Sequence, residues 1–128
     1  IRSQYTELLL KTVCGERGLD ADIDRVEKAV SNGKYDVGQI NIIKCLYLLL
    51  TGGDAQKAKA AAQKAYDIYD GIHCPLEREE ARSLCDAACK RLGEQSGLTP
   101  YTENIYINNW ITFYENYLKE LVGRTKAK

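Results

Sequence analysis

The 128 residues contain no methionine, one histidine, two prolines, one tryptophan and one phenylalanine. With His73 as the lone imidazole, little is available for histidine chemistry, and two prolines are too few for proline recognition. Charge of either sign is not in excess: eighteen Lys and Arg face eighteen Asp and Glu, and the pI is about 6.8. No global field therefore exists to hold a nucleic acid or an anionic membrane. An apolar run of the roughly 20 residues that span a bilayer is also missing. The longest candidate, Ile40 to Leu50, is interrupted by Asn41, Lys44 and Cys45, and reads as a buried helix. Asn41, Asn104, Asn109 and Asn116 all lack the hydroxyl two residues on that glycosylation requires.

What is present is ordinary for a globular domain: 45% hydrophobic and 28% charged residues, which excludes disorder. The length is that of one domain, 1–128, able to bury roughly two-thirds of its unfolded surface. Its hydrophobic period is helical throughout. A first helix is expected from Ser3 to Cys14, with Tyr5, Leu8, Leu9 and Val13 inward and Gly15 and Gly18 as stops. A second runs from Asp22, carries Ile23, Val26 and Val30, and ends at Asn32-Gly33. The third opens on Asp36 and Gln39, spaced as a capping box, and continues to Leu50.

Asp54 caps a fourth helix, rich in alanine from Ala55 to Ala65, which ends near Gly71. Pro75 opens a fifth, with Glu77, Glu79 and Glu80 read as a solvated acidic face near its N-terminus. Its inward stripe is Ala81, Leu84, Cys85, Ala88 and Leu92. Thr99-Pro100 restarts the pattern for a last helix to about Val122, and 123–128 is a frayed basic tail. The fold class is therefore all-α: about six helices packed around a central hydrophobic helix, the third, which has no wet face.

Five cysteines, Cys14, Cys45, Cys74, Cys85 and Cys89, are many for a cytosolic chain. On a continuous fifth helix, Cys74 and Cys85 stand roughly 16 Å apart, beyond the 7 Å or so that a disulfide spans. Cys85 and Cys89 lie one turn apart with nearly parallel Cβ vectors. The expected pairing uses Cys14 and Cys45 with two of Cys74, Cys85 and Cys89, so the bundle is disulfide-stabilised and one thiol is left over. The opening Ile1-Arg2-Ser3, without Met, fits a terminus left by a signal peptidase or by other trimming. With the cysteine content, it leads to the expectation of a secreted protein.

Chemistry finds little purchase. A zinc set of His73, Cys74, Cys85 and Cys89 would be split by a stretch of helix. A cysteine nucleophile would need His73 as its base, and the neighbouring Cys74 points away from it. Asp20, Asp22 and Asp24 begin like a calcium loop, but Arg25 stands where a Gly should turn and Ser31 where a bidentate Glu should close. Gly52-Gly53 is a helix stop rather than a phosphate cradle. No catalytic residue, cofactor or metal is expected, and the chain is not read as an enzyme.

The last helix carries the most distinctive surface. Tyr106, Trp110, Phe113, Tyr114 and Tyr117 form one stripe, and Ile107, Ile111, Leu118 and Val122 an adjacent one. Together they exceed the arc a core-facing helix needs. Most of this is packing, but Tyr106, Trp110, Tyr114 and Tyr117 at its edge are the candidate binding surface, for a protein or a small molecule. Asn104, Asn108, Asn109 and Asn116 would form its polar rim.

The short Met-free chain has Cys14 ahead of Gln39-Ile40-Asn41-Ile42-Ile43-Lys44-Cys45-Leu46-Tyr47-Leu48-Leu49-Leu50, with Cys74, Cys85 and Cys89 around a fifth helix. This layout resembles the small all-helical salivary proteins of anopheline mosquitoes that include albicin and anophensin. The likeness spans the whole chain in architecture and cysteine layout, without a diagnostic short motif. It implies a monomer secreted in saliva that blocks host defence without catalysis. The implied partner is the alternative-pathway complement C3 convertase, C3b with factor B or Bb; the alternative is the plasma kallikrein–kinin contact system. Insect odorant-binding proteins are less similar: their Cys-x₃-Cys pair comes second and third of six, whereas Cys85 and Cys89 come last of five. A helical carrier of a small apolar ligand, with an interior cavity, is the remaining reading, and an intracellular zinc module a third class.

Overall fold

Among the residues described by the computed structural model, the backbone is helical or loop with no strand. These residues are 2–100 and 105–127, with side chains for 4–100 and 109–123. The helices are α1 (Arg2–Val13), α2 (Asp20–Ala29), α3 (Lys34–Leu50), α4 (Ala55–Gly71), α5 (Pro75–Leu92) and α6 (Ile105–Ala127).

Local chemistry explains several of the boundaries. The Asp54 carboxylate accepts from the backbone N–H groups of Gln56 and Lys57, satisfying two of the donors that every helix start leaves free. Pro75 occupies the first turn of α5, where its missing N–H costs nothing. Gly93 ends that helix in the left-handed region at φ 72°.

Two boundaries depart from expectation. The Asp36–Gln39 capping box does not form: α3 starts at Lys34, and its N-cap is Gly33, which has no side chain to cap with. Gln39 instead donates to the Tyr69 hydroxyl at 2.9 Å, so a tertiary contact has taken its amide. α6 is described from Ile105, and residues 101–104, between it and the expected restart at Thr99-Pro100, lie outside the described residues. The Thr99 carbonyl accepts from Arg78 at 3.1 Å and from Tyr66 at 3.4 Å, which ties this loop to α4 and α5. At the other end, α6 continues through Ala127 rather than fraying after Val122.

α3 packs against each of the other five helices. Its apolar residues split between two cores. Ile40, Ile43 and Tyr47 join Tyr5, Leu8, Leu19, Ile23, Val26 and Val30 from α1, α2 and their connection. Ile42, Cys45, Leu46, Leu49 and Leu50 join α4, α5 and α6. Both sets recur at three-to-four spacing, so one helix without a wet face serves two cores. On the α4–α5 side the contact is built from Ala58, Ala61, Ala62 and Ala65 against Ala81, Leu84, Cys85 and Ala88. Small side chains bring these two helices close.

The expected disulfide staples are not seen in this structure. All five thiols are free, with no pair at bonding distance. Cys14 is exposed just past the end of α1, whereas Cys45, Cys85 and Cys89 are buried in the core that α3 shares with α4, α5 and α6. Apolar packing on both sides of α3 supplies the cohesion that bridges were expected to provide.

Candidate functional site

The residues with nucleophilic or ligating chemistry are either buried or dispersed. Burial, followed by the neighbouring Cys85 thiol, pushes the Cys45 thiol far above its ordinary value. Cys85 is pushed up to about 12 by burial and then by Cys89. Cys74, half-buried ahead of α5, is also raised by burial. Thiols held protonated in this way are poor nucleophiles and poor ligands. His73 is exposed in the α4–α5 turn at φ 60°, on the chain beside Cys74 and away from the buried Cys85 and Cys89. No cluster able to hold a metal ion occurs among the described residues. Asp20 accepts from Tyr47 at 3.0 Å and Asp22 pairs with Arg25, so these acids serve the start of α2.

The acidic stretch of α5 is not the solvated face expected of it. Glu79 is 1% exposed, and its carboxylate accepts from Arg82 Nε at 2.9 Å. Arg82, itself buried, extends its other nitrogens to Asp86 at 3.0 Å and to Glu115 of α6 at 3.1 Å. A single guanidinium thus gathers two carboxylates of α5 and reaches one of α6, the geometry to which a planar, fully charged fork is suited. At the next residue after Glu79, burial and then Glu77 push the Glu80 carboxyl up to about 7. The sequence could not reveal this, because acids near a helix start are favourable in water as well.

With α6 so anchored, its aromatic side chains divide. Ile111, Leu118 and Leu121 are buried. Tyr114 is half-buried against the core, its hydroxyl held well above the usual range by burial and then by Glu80. Phe113 and Tyr117 face outward, 61% and 41% exposed. Trp110, Phe113 and Tyr117 form a stacked ridge: centroids lie 5.7 Å apart for the first pair and 6.5 Å for the second, the latter rings nearly parallel at 8°. Asn109 and Asn116 are exposed, as a polar rim requires.

Comparison with family models, curated proteins and solved structures finds no match to this chain. The ridge must therefore be judged on its own chemistry. Exposed, mutually stacked aromatic rings lose little side-chain freedom on docking and carry large apolar area, the properties of residues that dominate protein interfaces. Of the four residues singled out in sequence, Trp110 and Tyr117 lie on this ridge, and Tyr114 turns toward the core. The Tyr106 side chain lies outside the described residues. Phe113, the most exposed ring of the ridge, belongs to the same sequence stripe but was not among the four.

Proposed function

We propose that this protein is a secreted, non-catalytic inhibitor that docks on a host defence complex through the Trp110–Phe113–Tyr117 ridge of α6. The partner we assign is the alternative-pathway C3 convertase, C3b with factor B or Bb, following the resemblance in helix and cysteine layout to the anopheline salivary proteins. The observation that carries the docking reading is the ridge itself: three stacked rings, two of them well exposed, on a helix tied to α5 by the Arg82–Glu115 ion pair. A rigid aromatic patch costs little to order on binding, so it suits occlusion or locking of a large complex by a preformed surface.

The test is a dose series in human serum that compares alternative-pathway lysis of rabbit erythrocytes with classical-pathway lysis of sensitised sheep erythrocytes. Selective loss of the first is expected, with C3b and factor B retained in a pull-down. Phe113→Ala with Tyr117→Ala should weaken inhibition by about tenfold or more while changing stability by less than about 1 kcal/mol, because both rings are exposed. No effect of the unmodified protein at micromolar concentration would remove the convertase as target. Inhibition undiminished in the double variant would remove the ridge as the docking surface.

A further inference from the structure

A second surface feature is independent of the ridge and of any host protein. Between the C-terminal part of α3, the second half of α5 and α6 lies a cleft of about 550 Å³, within the ~300–1,000 Å³ typical of small-molecule sites. Leu49 and Leu118 form its apolar floor, both buried, and Val122 adds to the wall. The two acids that line it are already satisfied. Asp86 accepts from Arg82 and Ser96, and Glu115 accepts from Arg82. The Arg91 guanidinium donates from one nitrogen to the Leu49 carbonyl.

Three polar groups on the cleft have no hydrogen-bond or ion-pair partner from the protein among the described residues. Ser83 is 5% exposed, and its Oγ is buried with no hydrogen-bond partner, an arrangement that costs free energy until an incoming polar group completes it. Lys90 and Lys119 line the cleft as exposed ammonium groups, and neither has an ion-pair partner among the described residues. Two helical turns separate Ser83 from Lys90, roughly 10 Å along the axis. The cleft thus offers apolar walls, unpaired positive charge at its rim, and one orphan hydroxyl about a medium carbon chain's length away.

We propose that this cleft binds a small amphipathic monocarboxylate of the medium-chain fatty-acid class that carries a second oxygen toward the far end of its chain. The carboxylate faces Lys90 and Lys119, the chain lies on Leu49, Leu118 and Val122, and the distal oxygen bonds Ser83. An apolar carrier of the kind considered from sequence would enclose its ligand in the interior; this site is instead a surface cleft selective for charge and for a distal oxygen.

Titration calorimetry on the full chain tests it with decanoate, ω-hydroxydecanoate and decyltrimethylammonium as probes. The two carboxylates should bind saturably below millimolar concentration, at least about tenfold more tightly than the cation. The ω-hydroxyl should strengthen binding several-fold in the unmodified protein and not at all in Ser83→Ala. Lys90→Glu with Lys119→Glu should cost about tenfold or more. Ala87→Phe, which fills the cleft from its α5 wall without altering charge, should abolish binding. Circular dichroism verifies that each variant folds, and the probe comparison on the unmodified protein stands if one does not. No saturable decanoate binding, equal affinity for the cation, or a hydroxyl advantage that persists in Ser83→Ala would overturn the proposal.

Discussion

A Cβ placed on Gly38 would lie 2.5 Å from Cζ of Tyr69. The ring cannot easily yield, because Tyr69 is fully buried and its hydroxyl both donates to the Tyr35 carbonyl at 2.8 Å and accepts from Gln39 at 2.9 Å. The close approach of α3 to α4 at this point depends on the absent side chain. Gly38→Ala should therefore lower stability by about 2 kcal/mol, overpacking outweighing the roughly 1 kcal/mol gain in helix propensity. Gly71, where a Cβ meets nothing within 4 Å, provides the opposite case. Gly71→Ala should leave stability unchanged or raise it by about 0.5 kcal/mol. Urea denaturation of both variants measures the contrast, and equal losses would contradict the packing described.

Glu80 makes stability depend on pH in an unusual direction. Its carboxyl is raised from 4.5 to about 7 by burial and then by Glu77, with Tyr35, Tyr69 and Tyr114 also close enough to feel its charge. In this interval the folded state holds a proton that the unfolded state has released. Stability contributed by the neutral acid is thus present below about 4.5 and declines as pH rises to about 7, by something on the order of 2–3 kcal/mol. Glu80→Gln should flatten the profile over that window. Thermal melts at half-unit pH steps will show whether it does.

Thiol reactivity should rank by burial. Ellman's reagent should modify the exposed Cys14 first and Cys74 more slowly, and reach Cys45, Cys85 and Cys89 only on unfolding. Without reductant, all five should titrate in denaturant. A single reactive thiol there would instead establish the two bridges expected from sequence.

The Arg82 fork predicts strong non-additivity. Arg82→Met leaves the carboxylate of Glu79 buried without its closest partner and should cost about 3–5 kcal/mol. Adding Glu79→Gln removes the stranded charge and should recover a large part of that loss. A double-mutant cycle by denaturant unfolding reads the coupling directly. Independent, additive losses would show that the buried pair is not a unit.

The comparison of sequence and structure turns on which signals are local. Helical period, the Asp54 cap and Pro75 at the start of α5 are settled within a few residues, and each stands in the structure as read. The Asp36–Gln39 spacing was just as local, yet it misled, because Tyr69 on α4 offered Gln39 a better partner. Glu79 and Glu80 looked like solvated acids because nothing within α5 announces that this part of its surface will be buried by the other helices. The aromatic stripe of α6 was visible, but its division into an inward Tyr114 and an outward Phe113 and Tyr117 was not.

The sequence by itself thus determined that the chain is all-helical, where most helices begin and end, and which residue types each carries. Hydrogen bonding and side-chain period act over one or two turns, and this information lies in neighbouring residues. Only the tertiary structure decided that α3 divides its apolar residues between two cores, that five thiols remain unpaired, that Arg82 gathers three carboxylates and that Ser83 faces a cleft without a partner. Each depends on which helices meet and at what rotation, a choice made by packing whole apolar faces against one another.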